Sequence, residues 1–230
     1  MHLTRPAVSL AAATAAAALL LAGCGGGEDG DSKSDKIEGA DSSKDKSPSP
    51  EKSSDGAKDA PGDFRTSDIK LPDDVKLVFD WEQPSNPEKA AALDGAADFM
   101  RAQMHAMAKQ DPKDPVLANK TVPLQSAQEY VTSLVGSTSK KGYSVTGKER
   151  YYKEHVGDVI DGKLAEVTYC ADQAEIFSKD ANSGKVIRNP TSDKRYLYFE
   201  LVMQKSSKTE EPWKARTASV TEAAVKQCAE

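Results

Sequence analysis

The apolar positions of this chain fall into three regimes. The first is a nearly unbroken apolar run from Ala7 to Leu21 and Ala22. At roughly 15 residues it is shorter than the ~20 a bilayer-spanning helix needs. Arg5 precedes it, and small residues and Cys24 close it, which is the layout of a secretory signal peptide over 1–23. From 25 to 62 the pattern disappears: Gly, Ser, Asp, Glu, Lys and Pro dominate, Ile37 is the only large aliphatic residue, and there is no aromatic. Such a stretch buries too little apolar surface to offset the entropy of ordering it. It is predicted to be a disordered polar tether with a root-mean-square span of roughly 35 Å.

Periodicity returns in the third regime, 63–230, long enough for one domain with an ordinary core. Residues 75–79 read as a short strand or extended lead-in. Asn86-Pro87-Glu88 is a helix start: Asn caps, Pro suits the first helical position, and Glu meets the positive end of the dipole. A helix should run to about Gln110, with Leu93, Ala96, Ala97, Met100, Met104 and Met107 as its apolar stripe. Asp94, Asp98, Arg101 and His105 share the other face and are read as a wet face with weak ion pairs rather than an acid and base set. Asp111-Pro112 through Pro115 ends this helix. Ser126-Ala127-Gln128-Glu129 has the capping-box pattern and opens a second, shorter helix.

After Gly142 the period changes to two. Tyr143, Val145, Tyr151 and Tyr152 mark a strand with a bulge expected at Gly147. Ala165, Val167, Tyr169 and Ala171 alternate with polar residues as a second strand, preceded by an Asp161-Gly162 turn. Asn182-Ser183-Gly184 marks another turn, 196–203 is the strongest strand signal, and 213–220 the last. Helices first and a meander of about four strands after them predict an α+β domain, with helices packed on a curved antiparallel sheet.

Charge changes the picture mainly by exclusion. Lys and Arg number 31 against 36 Asp and Glu, a net charge of −5, and the tether interleaves both signs. Nucleic-acid arms need clustered cations, so no nucleic-acid partner is expected. Lys140, Lys141, Lys148 and Arg150 hint at an anion site but read more simply as a solvated face. Trp81 and Trp213 read as packing rather than ligand platforms. No phosphate loop, no G-x-S-x-G turn and no metal-ligand spacing occurs, so no cofactor and no catalytic triad are expected.

The four residues Leu21-Ala22-Gly23-Cys24 resemble the lipobox of bacterial lipoproteins, of the actinobacterial type in their alanine-rich leader. The resemblance implies that the Cys24 thiol takes a diacylglycerol, that cleavage falls before it, and that the new amine takes an acyl chain such as palmitate. Two or three chains make such an anchor stable, where one holds only marginally. The membrane would then be the first partner, and the cell envelope, outside the cytoplasm, the location. The competing reading is a plain secreted protein with a free Cys24.

With Cys24 consumed, Cys170 and Cys228 remain as a pair in an oxidising compartment and are expected to form a disulfide. The order of elements over 86–228, with its late Trp213-Lys214-Ala215-Arg216 strand, resembles the cone-shaped nuclear transport factor 2-like fold. Members range from isomerases to binding modules, and active ones place an Asp, sometimes with His or Tyr, inside the cone. Asp98, Asp158, Asp172, Tyr152 and His155 are the residues that could reach such a cavity here, and none matches a family motif.

Two functions follow. The first is a non-catalytic envelope module that binds an envelope protein, a peptide or a small apolar ligand. The alternative is an extracytoplasmic isomerase- or hydrolase-type enzyme that uses a buried carboxylate.

Overall fold

In the computed structural model, residues 67–188, 190–207 and 212–230 are described. The signal segment, Cys24 and the tether lie outside them. Strand β1 (Val75–Phe79) leads into helix α1 (Pro87–Lys109), a short helix α2 (Pro115–Asn119) and helix α3 (Ser126–Lys140). The strands β2 (Tyr143–Val156), β3 (Leu164–Asp180), β4 (Val186–Ile187), β5 (Tyr196–Gln204) and β6 (Lys214–Glu222) follow, and α4 (Val225–Cys228) closes the fold. The sheet order is β1-β2-β3-β5-β6, with β4 paired to the far end of β3. All pairs are antiparallel except β1 with β2. The domain is thus α+β, with helices packed on a curved, unclosed sheet, and β1 is a parallel edge strand added to the expected meander.

The start of α1 forms as its sequence dictates. Asn86 Oδ1 accepts from the backbone N–H groups of Glu88 and Lys89 at 2.9 and 3.1 Å. Gln110, at φ 59°, ends the helix in the left-handed region. The start of α3 departs from the expected capping box: Ser126 is already helical, and the cap position, Gln125, makes no side-chain cap bond. Instead Gln128 Oε1 accepts from Leu124 N–H at 3.0 Å, while Ser126 Oγ accepts from Ala218 N–H of β6 at 3.4 Å. The serine joins helix to sheet and leaves the cap to the glutamine.

Three register irregularities interrupt the sheet, one of them between Val202 and Met203 where β5 pairs with β6 and two along β2, and none sits at Gly147. That glycine, at φ 109°, pairs normally but so close to β3 that an added Cβ would stand 2.1 Å from the Glu175 carbonyl oxygen. The first irregularity along β2 lies between Lys148 and Arg150, where Glu149 alone faces Gln173 and Ala174 of β3. The Ala174 N–H freed from the ladder donates to Asp172 Oδ1 at 2.9 Å. The second lies between Tyr152 and His155, with Lys153 at φ 54°. Bulges bend and twist the strand that holds them, and these two turn the inner face of the sheet into a concavity against α1 and α3.

The narrow end of that concavity is filled. Phe79, Trp81, Tyr151, Tyr169 and Phe199 form a chain of ring contacts with centroids 4.7 to 6.2 Å apart. Offset and edge-on pairs of this kind add to the burial of each ring. Helix α1 rests directly on β6: Gly95 leaves no room for a Cβ, which would stand 2.7 Å from the Trp213 carbonyl oxygen. On the outer face, Cys170 and Cys228 are disulfide-bonded with a Cα separation of 5.5 Å, tying α4 to β3. Tyr152 donates its hydroxyl to the Cys228 carbonyl at 2.6 Å beneath that helix.

Candidate functional site

The wide end of the concavity remains open. Residues of α1 (Gln103, Met104), α3 (Tyr130, Leu134), β3 (Gln173, Ile176) and the loop after β4, with Phe199 of β5 below, enclose a half-open pocket of about 670 Å³. Its walls are mainly apolar, and Lys194, Arg195 and Glu222 stand at it as charged groups. Polar side chains, among them Gln103, Ser144 and Gln173, share the wall with the apolar ones, and a concave surface that mixes the two can hold a small molecule.

Behind the Gln173 wall lies the most perturbed carboxyl among the described residues. Glu149 has no exposed surface. Its Oε1 accepts from Gln173 Nε2 at 2.7 Å, and its Oε2 accepts from the Tyr151 hydroxyl at 2.8 Å. Burial pushes its pKa up to about 7, because the two hydrogen bonds only partly offset the lost hydration and Asp172 adds a repulsion. Burial raises Tyr151 and Tyr169 as well, helped by the nearby Glu149 charge. Tyr130, on the pocket wall, is pushed up to about 12 by burial, then by Glu149 and Glu222. The first bulge creates this arrangement, since placing one residue of β2 against two of β3 sets Glu149 beside Gln173.

The five residues expected to reach a cavity are not brought together, and none lines the pocket. Asp98 faces outward from α1 and accepts from Ser67 Oγ and Lys120 Nζ, both at 2.7 Å, and from Arg101 at 3.1 Å. Burial works to raise its pKa, but the bonds from Lys120 and Ser67 and the charges of Lys120 and Arg101 outweigh it and hold the carboxyl below its usual range. The expected wet face of α1 is therefore a half-buried polar clasp. Tyr152 is buried under α4, and His155 is exposed on β2. Asp172 caps Ala174 in the bulge and reaches the pocket only through Arg195, 3.8 Å away. Asp158 is almost fully exposed and pairs with Lys89 at 2.8 Å.

The basic residues Lys148 and Arg150 within β2 are also engaged. Lys148 pairs with Glu175 at 2.9 Å, and Arg150 bonds Glu230 through two nitrogens at 3.1 Å. Trp81 and Trp213 are core residues. Among the described residues no group of His, Cys, Asp and Glu is placed to hold a metal ion, and no helix is long and apolar enough to cross a membrane.

No protein-family model matches this chain, and no curated protein matches it in sequence. Solved structures with a similar arrangement include Aln2 from a Streptomyces species, at 14% identity over 61% of this chain and 94% of that one, with a TM-score of 0.41. A ketosteroid isomerase-like protein from Erwinia carotovora atroseptica aligns at 13% identity over 60% of this chain and 97% of its own, with a TM-score of 0.39. The intermembrane space region of the chloroplast protein ARC6 aligns at 14% identity over 57% and 94%, with a TM-score of 0.36. At such identities the likeness concerns the arrangement of elements and assigns no activity.

Proposed function

We propose that this chain is a non-catalytic binding module that takes a small apolar ligand in the open end of its cone, held at the outer face of the cell membrane by a lipidated Cys24. The supporting observation is the pocket of about 670 Å³, with its apolar wall and the titratable Glu149 sealed behind Gln173. A general acid or base must reach the proton it moves, and Glu149 reaches only Tyr151 and Gln173. The anchor rests on the four residues Leu21-Ala22-Gly23-Cys24 and on the polar stretch that follows them.

Native mass spectrometry of the mature protein tests both parts. The expected result is an acylated Cys24 together with a small apolar molecule that dissociates on denaturation and is lost in Leu134→Trp, which fills the pocket from α3. An unmodified Cys24 thiol sinks the anchor, and a wild-type pocket that neither retains nor takes up apolar molecules sinks the binding function.

One observation favours the second reading, an isomerase- or hydrolase-type enzyme: a carboxyl with a pKa of about 7 stands among tyrosines, and the Tyr169 hydroxyl is buried without a hydrogen-bond partner. Turnover by the wild type that Glu149→Gln abolishes, with ligand binding intact, would decide for it.

A further inference from the structure

Gln103 sits in the last two turns of α1, 3% exposed, on the wall of the pocket. Its Oε1 is fully buried and accepts no hydrogen bond. Leaving a buried amide oxygen unpaired costs about 1–3 kcal/mol, and buried polar side chains are paired in the large majority of cases. The neighbouring Gln173 shows the usual solution, since its amide is spent on Glu149 at 2.7 Å. No similar demand is placed on Gln103: its helix neighbours on the core side, Phe99, Met100, Met104 and Ala106, are all apolar.

Resting on the binding function above, we infer that Gln103 is the specificity-determining residue of the pocket, and that the ligand is an uncharged apolar molecule whose single hydroxyl group hydrogen-bonds to the Gln103 amide. The chemistry selects this class in three ways. An amide offers an acceptor and, when turned about its last bond, a donor, and a hydroxyl matches either. A charged group at that depth would be costly without a counter-ion, and Arg195 at the pocket already faces Asp172. Finally, a purely hydrocarbon ligand would leave the buried Gln103 amide as unpaired as it already is, whereas one hydroxyl within its reach removes part of that cost.

The test uses the mature full-length protein and two probes of nearly equal shape, 1-octanol and 1-fluorooctane, each competing against an apolar fluorescent dye. The readout is the ratio of their affinities in the wild type and in Gln103→Leu, with Gln103→Met as a second variant of similar length. One hydrogen bond of ordinary net strength corresponds to about a tenfold change in that ratio. The expected result is therefore a wild type that favours the alcohol about tenfold more than either variant does, with octanoate weaker than both. In the wild type the Gln103 side-chain amide resonance should also move on adding 1-octanol and stay put with 1-fluorooctane, a measurement that needs no variant. A ratio that is the same in all three proteins, or an unmoved resonance, overturns the role of Gln103 while leaving the pocket as a ligand site. Failure of every probe to displace the dye overturns both.

Discussion

Tyr151 donates its hydroxyl to Oε2 of Glu149 over 2.8 Å, and neither side chain has any exposed surface. That bond favours the ionised carboxylate, but burial outweighs it and pushes the pKa up to about 7 in the folded protein, against ~4.3 in an unfolded chain. A raised carboxyl pKa contributes stability that is fully present below the unfolded value and is lost as pH rises through 7. The difference is on the order of 3 kcal/mol. Glu149→Gln holds the site neutral and keeps both bonds within reach, because the Tyr151 hydroxyl can accept as well as donate. Urea unfolding should find the variant more stable than wild type at pH 8 and close to it at pH 4.5. A difference that does not change with pH would count against a titrating Glu149.

Asp98 behaves in the opposite sense. Its pKa is held below the usual carboxylate value by Lys120, Ser67 and Arg101, so its contribution is present above pH ~4 and disappears as pH falls through its lowered pKa. Asp98→Asn should therefore destabilise the domain at pH 7, and the gap should close toward pH 3. Equal stability of the two proteins at pH 7 would show that the clasp contributes nothing.

Gly95→Ala isolates the contact between α1 and β6. Alanine gains about 1 kcal/mol of helix propensity, but its Cβ would stand 2.7 Å from a backbone oxygen and 2.8 Å from the Trp213 Cβ. Overpacking against backbone costs about 1–3 kcal/mol. A drop of several degrees in Tm is expected, and a variant that melts above wild type would mean that the helix can lift off the sheet freely.

The bond between Cys170 and Cys228 closes a loop with a sequence separation of 58 residues. The chain-entropy account gives about 4 kcal/mol for such a loop. Cys170→Ala with Cys228→Ala should lower the urea midpoint by a corresponding amount, and dithiothreitol should do the same to the wild type under unfolding conditions. The double variant should still take up the apolar dye, because the bridge lies on the outer face, away from the pocket.

Much of this architecture is legible in the residues. Asn86-Pro87 sets the start of α1, period-two alternation marks β3, and the even cysteine pair marks the bridge. Helix α2 is hidden because Pro112 and Pro115 read only as a stop, although Asp114 and Pro115 are also a cap and a first helical residue: Asp114 Oδ1 accepts from Val116 N–H at 2.8 Å. Helix α4 is too short for any periodicity, and its place is fixed by the disulfide and by Tyr152.

The site is less legible. Flanked by Lys148 and Arg150, Glu149 looks like part of a solvated charge run. The available signal was alternation, since Val145, Glu149 and Tyr151 fall on one face at even spacing and all three are buried. Gln103 is hidden for a similar reason. It stands seven residues after Ala96 and three after Met100, at the edge of the apolar stripe, where a lone glutamine reads as the polar rim, and only the closure of α3 and β3 over α1 brings it inside.

The aromatic chain across the narrow end also has an optical consequence. Trp81 lies 5.2 Å from Tyr169 and 6.2 Å from Tyr151, centroid to centroid, so light absorbed by those phenols is passed to its indole only while the rings stay packed. Trp81 itself does not line the pocket, so that sensitised emission reports the packing of the narrow end.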